Sequence, residues 1–531
     1  MSDSKTQSFV IEPVEPRRHF DSGFTASYFP ATTFTGRAIT REDAAIAFNF
    51  GRTAPAKGID PKHFSARWTG QLIPTSDGRH AVYVTTEGGV RMWINHTLVL
   101  NKWAAPGTPT NYKIVTRLTE NRLADIQIEY RHDSGRGSIG VTWVRPGGAK
   151  EVLAGSGVTP RAMMLADQID HGRTFAADQL GTTFRTLKTK DGAPIRSEPA
   201  KPDWLRSPFT DWTSGTFAGS MWEVNKTFAG WDKMATTWTT PLADVKIVGD
   251  AFDREWAAYK PLYDATGDAG AKQILLASAK LKMTAWNKTV RAFKTPELVS
   301  TSGNRKANFG VLMDQTNDMA ELLWAGEQTG DPSYRDRVIA HMQTVAKNMV
   351  RADGSVFQRG YFDAATSKFV VGENYQGYSN TSTWSRAQAW AIRSFADVAT
   401  ATGDGTIFET AKKVADYYFS HAPDDGVPYW DFNAPKIPNT YRDTSAAAIT
   451  ASGLIRLSKL IPDPLRIAYR SQAEKVLRSL LGPSYLAEGS AVKGIMQHGA
   501  ANVPKNKGVD ASLMFGDYYL LQAMNDYTSS S

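Results

Sequence analysis

The chain has no cysteine, which excludes disulfide staples, thiolate metal sites and thiol catalysis together. No apolar run approaches the roughly 20 residues that a membrane helix requires, so a membrane is not an expected partner. There is no Lys/Arg cluster of nucleic-acid type, no P-loop and no phosphate-cradling glycine motif, so nucleic acid is not expected either. Metal-ligand spacings are missing. His498, in Met496-Gln497-His498-Gly499, stands alone and suits a loop hydrogen bond better than a metal, and no metal or cofactor is expected. The first residues, Met1 to Ser8, lack the apolar core of a signal peptide. The chain as written is therefore expected in the cytoplasm, although a periplasmic or secreted chain trimmed of its leader would read identically. Nothing in the residues speaks to oligomeric state.

What is present is a globular composition, 41% apolar and 11% aromatic, in 531 residues. That length exceeds what one core usually holds, so two domains are expected. Sixty-one basic against fifty-three acidic side chains leave a net +8, which gently favours anionic partners.

From Phe24 to about Val144 the texture is that of strands. Runs such as His80-Ala81-Val82-Tyr83-Val84-Thr85-Thr86 and Asp125-Ile126-Gln127-Ile128-Glu129-Tyr130 alternate, broken by Gly, Pro, Asn and Asp, and predict an all-β sandwich or barrel. A helical piece, Phe175 to Leu187, precedes a polar, Pro-rich run through Pro199-Ala200-Lys201-Pro202 that reads as an entry loop. The resulting division is a tail at 1–19, a β domain at 20–150, a linker with the first helix at 151–200, and a helical domain at 201–531.

In that last region helix-period segments are expected near 217–229, 252–265, 272–288, 316–328, 334–349, 385–401, 407–420, 444–459, 467–480 and 511–526. The triplets Thr266-Gly267-Asp268, Thr329-Gly330-Asp331 and Thr402-Gly403-Asp404 punctuate it. Glycine takes the left-handed conformation that ends one helix, and the aspartate caps the next, so three tight helical hairpins are predicted. Periodicity alone permits a closed toroid or an open solenoid.

The stretch from Gln376 to Trp390 carries Trp384, Trp390, Arg386, Gln376 and Gln388. Indole faces cover pyranose C–H patches, amides satisfy hydroxyls, and a guanidinium forks onto a carboxylate, so the set suits a sugar acid. The plainer alternative is that Arg386 and Trp390, four apart on a helix, only stack on each other.

This stretch resembles the heart of the unsaturated glucuronyl hydrolases, glycoside hydrolase family 88. The blocks Asp211-Trp212-Thr213-Ser214-Gly215, Leu312-Met313-Asp314-Gln315-Thr316-Asn317-Asp318, Asp425-Gly426-Val427-Pro428-Tyr429-Trp430-Asp431, Arg442-Asp443-Thr444-Ser445 and Phe515-Gly516-Asp517-Tyr518-Tyr519 match the family in order. The resemblance implies a closed (α/α)6 barrel and a glycosidase that removes a 4,5-unsaturated uronic acid from acidic oligosaccharides made by lyases. It implies Asp314 as general acid/base, with Asp250 as a supporting acid. Trp212 and Trp390 would be ring platforms, Gln358, Gln376 and Arg386 would contact hydroxyls or carboxylate, and Ser512 would be a further carboxylate contact. Asp318 would be a solvated or capping acid; Trp430 and Asp431 would lie at the mouth, or, the plainer expectation, Trp430 would be a packed aromatic. Where the family carries histidine, this chain has Gly249, Gln358 and Tyr375, which implies a changed frame around the sugar. A hydrolase for another, saturated uronosyl linkage and a non-catalytic glycan binder are the competing expectations.

The β region is similar to a PA14 domain, through Tyr28-Phe29, Phe64 to Gly70, Glu87 to Asn95, Ile128-Glu129-Tyr130 and Trp143. Calcium-using sugar-binding members have consecutive aspartates where this chain has Glu87-Gly88. One glutamate supplies too few oxygens for calcium, so calcium is not expected, and the module is expected to be a structural or substrate-framing appendage or to bind glycan itself. The fold class is thus multidomain, an N-terminal all-β PA14-like sandwich or barrel followed by an all-α barrel.

Overall fold

A computed structural model describes residues 23–51, 53–95, 97–120, 124–134, 136–154, 158–160, 165–244, 252–462 and 465–529. The chain divides into two compact units between residues 164 and 165.

Among the described residues, twelve strands occupy the first unit. They are β1 (Phe24–Phe29), β2 (Ile39–Asp43), β3 (Ala47–Gly51), β4 (Phe64–Leu72), β5 (Gly78–Thr86), β6 (Gly89–Ile94), β7 (Thr97–Lys102), β8 (Thr110–Leu118), β9 (Ala124–His132), β10 (Gly137–Val144), β11 (Lys150–Val152) and β12 (Val158–Pro160). One sheet runs β2-β1-β4-β9-β6-β7 with β12 beside β4, and the other β11-β10-β5-β8 with β3 beside β10. The alternation seen in the sequence becomes burial: along β4, Phe64, Ala66 and Trp68 are fully covered while Arg67 and Thr69 face outward. Period-2 patterning assigns one face of each sheet to the core. Tyr28, Trp68, Tyr130 and Trp143, all within the PA14-like blocks, are the large side chains of that core.

The second unit is mainly helical. Its helices are α1 (Leu165–Thr186), α2 (Thr216–Asn225), α3 (Asp232–Thr239), α4 (Phe252–Thr266), α5 (Ala269–Met283), α6 (Asp318–Thr329), α7 (Pro332–Met349), α8 (Ser385–Thr402), α9 (Gly405–His421), α10 (Thr444–Ser458), α11 (Leu465–Leu480) and α12 (Met514–Thr528). Helices α2, α4, α6, α8, α10 and α12 each pack on the next, and α12 packs back on α2. A second helix backs each of them: α3 on α2, α5 on α4, α7 on α6, α9 on α8, α11 on α10 and α1 on α12. The first set is buried almost all round, as in α8 and α10, whereas α9 and α11 bury a single stripe. That contrast follows from apolar and small residues at nearly every position of one set and one-sided amphipathicity in the other. Among the described residues no helix is long and apolar enough to cross a membrane.

The three Thr-Gly-Asp triplets form the hairpins α4–α5, α6–α7 and α8–α9. Gly267, Gly330 and Gly403 have φ of 68°, 72° and 69°. Asp268, Asp331 and Asp404 accept the N–H groups of Ala271, Ser333 and Ile407 at the following helix starts. Elsewhere the elements differ from expectation. Helix α1 begins ten residues earlier than Phe175, because Gly172 and a polar first turn mask its period. The expected entry loop at 199–202 is instead the two-residue turn, 199–200, and the start of the second strand of a hairpin, β13 (Ala193–Glu198) with β14 (Lys201–Ser207). Helix α3, short and threonine-rich, gave no apolar stripe long enough to read.

Small strands complete this unit: β15 (Trp286–Asn287), β16 (Ala292–Phe293), β17 (Phe309–Leu312), β18 (Arg359–Phe362), β19 (Phe369–Glu373), β20 (Gly499–Asn502) and β21 (Lys507–Leu513). The sheet β17-β18-β19 and the sheet β14-β13-β21-β20 carry the side chains considered next.

Candidate active site

In the antiparallel sheet β17-β18-β19, the end of β17, the start of β18 and the end of β19 lie together, with Leu312 opposite Arg359 and Arg359 opposite Glu373. The chain therefore delivers Asp314, Gln358 and Gln376 to one place. The Met313 N–H donates to the Gln358 carbonyl at 2.8 Å, and the Gln358 N–H donates to Asn374 Oδ1 at 2.8 Å. A one-turn 3-10 helix, Asp314–Asn317, follows. Thr316 Oγ1 donates to Ser394 Oγ at 2.7 Å, which ties that turn to α8.

Asp314 is 9% exposed. Neither its own 3-10 turn nor α6 takes a side-chain cap, so the carboxyl is not consumed as a helix cap, and Oδ2 is buried without a hydrogen-bond partner. Burial pushes its pKa up to about 6, while Arg386, its own main-chain N–H, Arg359 and the Gln358 amide favour the anion. A carboxyl group so poised can both give and take a proton near neutrality.

Around it the glutamines and the arginine are bound into the scaffold. Gln358 Nε2 donates to Gln376 Oε1 at 2.7 Å, the Gln376 N–H donates to Gln358 Oε1 at 3.0 Å, and Gln376 Nε2 donates to the Ala501 carbonyl at 2.8 Å. Arg386, in the first turn of α8 and 2% exposed, donates to Asp443 Oδ2 at 2.6 Å and to the carbonyls of Ala500 and Ala501 at 2.8 and 2.5 Å. Its guanidinium lies 4.4 Å from the Trp384 ring and 5.3 Å from Phe515. Trp212, half-buried, meets the Phe515 ring at 5.2 Å. Trp212, Gln358, Gln376, Arg386 and Asp314 are thus linked through shared neighbours.

Other expected contacts sit elsewhere. Trp390 is 2% exposed and packs edge-on against Tyr519 at 5.0 Å, so its ring face is a core surface rather than an open platform. Ser512 is wholly buried, and its hydroxyl donates to Asp517 at 3.5 Å. Asp250 lies outside the described residues, as does Gly249. Asp318 is not solvated: it is buried in an ion cluster with Lys282 at 2.8 Å, alongside Glu321 at 2.5 Å. Period alone could not reveal Lys282, because it arrives from α5. Trp430 and Asp431 do not line an open mouth; Trp430 is the packed aromatic of the plainer expectation. Trp430 is buried beside Ala434 and Ala500, and Asp431 accepts the Tyr378 N–H and the Ser382 hydroxyl, pinning the loop that leads into α8. Gln388 is likewise structural, donating to the carbonyls of Gly354 and Val414. His498 is a loop hydrogen bonder, paired with Asp510.

Two residues went unrecognised in the sequence. Arg359 has a buried Nε without a partner and lies 4.0 Å from the ring of Tyr375. Asp443 both caps α10 and holds Arg386; its place in the Arg442-Asp443-Thr444 block was visible, its partner was not. A cavity of about 340 Å³ lies farther along the same helices, lined by Trp256, Trp324, Arg393, Arg456 and Gln522 among others, and among the described residues none of the expected site residues borders it.

The family model of Glycosyl Hydrolase Family 88 matches residues 258–527. The chain belongs to that family. A PA14 domain model matches residues 21–155. The unsaturated glucuronyl hydrolase of Bacillus sp. (strain GL1) is 30% identical over 368 residues, 65% of this chain and 94% of that protein. The crystal structure of an unsaturated glucuronyl hydrolase specific for heparin superposes with a TM-score of 0.64 at 28% identity, covering 68% of this chain and 97% of the other. A structure of such an enzyme with dGlcA-Glc-Rha-Glc gives 0.61 at 28% identity, covering 67% and 95%. The family 88 unit of this chain is therefore a glycosidase unit with a sheet-rich PA14 module ahead of it.

Proposed function

We propose that the helical unit is an (α/α)6 barrel whose helix starts frame Asp314, and that it releases a 4,5-unsaturated uronic acid from the non-reducing end of lyase-generated oligosaccharides. The closed succession of six helices, each backed by a second, supports the barrel. The observation that carries the activity is a buried, uncapped Asp314 carboxyl with one oxygen unpartnered and two arginines within electrostatic reach.

The unsaturated uronate is a vinyl ether. Protonated Asp314 gives its proton to C4, and positive charge gathers at C5 and the ring oxygen. Water, deprotonated by the same carboxylate, adds at C5. The resulting hemiketal opens by breaking the bond from C5 to the ring oxygen, and the hemiacetal left at C1 expels the aglycone. No glycosyl-enzyme bond forms, so the carboxylate spacing that separates retaining from inverting glycosidases does not apply. Arg359, with its unpartnered Nε, attracts the uronate carboxylate, while Arg386, committed to Asp443, adds only to the positive field around the acid; Trp212 offers a ring face on its Phe515 support, and the Gln358–Gln376 pair fixes the floor. Asp250 is the supporting acid in this reading.

Ultraviolet absorbance of the conjugated double bond reports the reaction directly. Oligosaccharides from lyase digests of glycosaminoglycan, gellan and pectin should lose that absorbance with at least one substrate. No loss on any of them, with release of saturated uronate instead, would assign the chain to a different linkage.

A further inference from the structure

The β unit carries a built cluster of arginines and aromatic rings on the outward face of its larger sheet. Register sets Arg67 of β4 and Arg91 of β6 on either side of Glu129 in β9. Glu129 is nearly covered; its Oε1 accepts from Arg67 at 3.0 and 2.8 Å and from Gln127 Nε2 at 3.3 Å, and its Oε2 accepts from Arg91 at 3.0 and 2.6 Å. Both guanidiniums are held by Nε and Nη2. Among the described residues, their Nη1 amines have no protein partner, and the two side chains remain 38% and 31% exposed. Arg131, held by Asp133 at 2.7 Å, adds a third cation at 30% exposure.

Aromatic rings frame the same place. The Trp103 ring lies 4.0 Å from the Arg91 guanidinium and 5.6 Å from that of Arg131, and Trp93 lies 5.5 Å from Arg91. Gly89 makes this possible, because a Cβ there would fall 2.1 Å from the Trp103 carbonyl oxygen. Phe34 stacks on Trp103 with φ of 60°, a left-handed conformation unusual for a side chain of its bulk. Three arginines against Glu129 and Asp133 leave a net positive charge of one on the cluster.

We propose that this face binds an acidic glycan, with carboxylate or sulfate oxygens on the outward amines of Arg67 and Arg91 and on Arg131, and a pyranose face against Trp93. Glu129 pre-orders the two guanidiniums, so little side-chain entropy is lost on binding. Fixed, partly exposed cations beside indoles complement a chain that alternates anionic groups with apolar sugar faces. The inference stands apart from the chemistry at Asp314.

The test is affinity electrophoresis of the full chain carrying Asp314→Asn, so that no substrate is consumed, through gels containing polygalacturonate, chondroitin sulfate, dextran or duplex DNA. The acidic glycans should retard it, the two kinds revealing whether carboxylate alone suffices, and dextran should not. Arg91→Gln and Trp93→Ala should each weaken the retardation about tenfold, with the thermal midpoint kept and, in the otherwise wild-type chain, disaccharide turnover unchanged. Should Arg91→Gln unfold, Arg131→Gln supplies the same reading, since its partner Asp133 is already exposed. Equal retardation by DNA, retardation unaltered in the folded variants, or none at all would overturn the proposal.

Discussion

Gln358 and Gln376 hold each other in a closed pair: the amide of the first donates to the second's side-chain oxygen, and the main-chain N–H of the second donates back. Because Gln358 directly precedes β18 and faces Asp314, the pair connects the floor of the site to its acid. Gln358→Ala should lower kcat/KM by at least about tenfold and cost roughly 1–3 kcal/mol of stability, as two buried hydrogen-bond partners lose their mates. Steady-state kinetics and denaturant unfolding would measure both.

Asp314 makes a prediction with a definite sign. Its carboxyl titrates from 3.8 in an unfolded chain to about 6 when folded. The folded state therefore holds the proton more tightly, and this contribution is complete below about pH 4 and lost as pH rises through about 6. Asp314→Asn escapes that loss. It should be more stable than the parent above about pH 7, by roughly 3 kcal/mol at most, and the difference should vanish in acid. The parent's kcat should fall above about pH 6 as the donor ionises. Unfolding and rate profiles across pH check the two claims separately.

Arg386 and Asp443 are both buried. Arg386→Ala strands the carboxylate and should cost about 3–5 kcal/mol, abolishing activity through loss of fold. Arg386→Lys keeps a charge but loses the fork to Ala500 and Ala501 and should recover only part of that stability. Chemical unfolding of the two variants orders them.

Trp212 is only half-buried and rests on Phe515. Trp212→Ala should raise KM several-fold for the unsaturated substrate, in line with losing a ring contact, with little change in thermal midpoint. A large drop in midpoint with unchanged KM would assign the indole to packing.

The sequence made the periodic parts of this molecule legible. Alternation marked the β unit, and three Thr-Gly-Asp triplets located three hairpins because left-handed glycine and capping aspartate act locally. Asp314 stood out through the blocks that resemble the family, not through any spacing of its own. What could not be read were partners distant in the chain. Arg386 reads as a ligand binder until Asp443 and the β20 carbonyls arrive from 57 and 114 residues away, and Trp390 reads as a platform until Tyr519 covers it. Asp318 similarly reads as a cap until Lys282 reaches it from α5. Side-chain type reveals what a residue can bind, whereas the fold decides whether that capacity is already filled.

The central claim is that Asp314 delivers the proton that starts the reaction. The most direct measurement compares Asp314→Asn with the parent on an unsaturated disaccharide by loss of ultraviolet absorbance, after circular dichroism has matched the two folds. A fall in kcat of about 10²–10⁴-fold or more is expected for a missing general acid; a folded variant that keeps its rate within a few-fold would contradict the account.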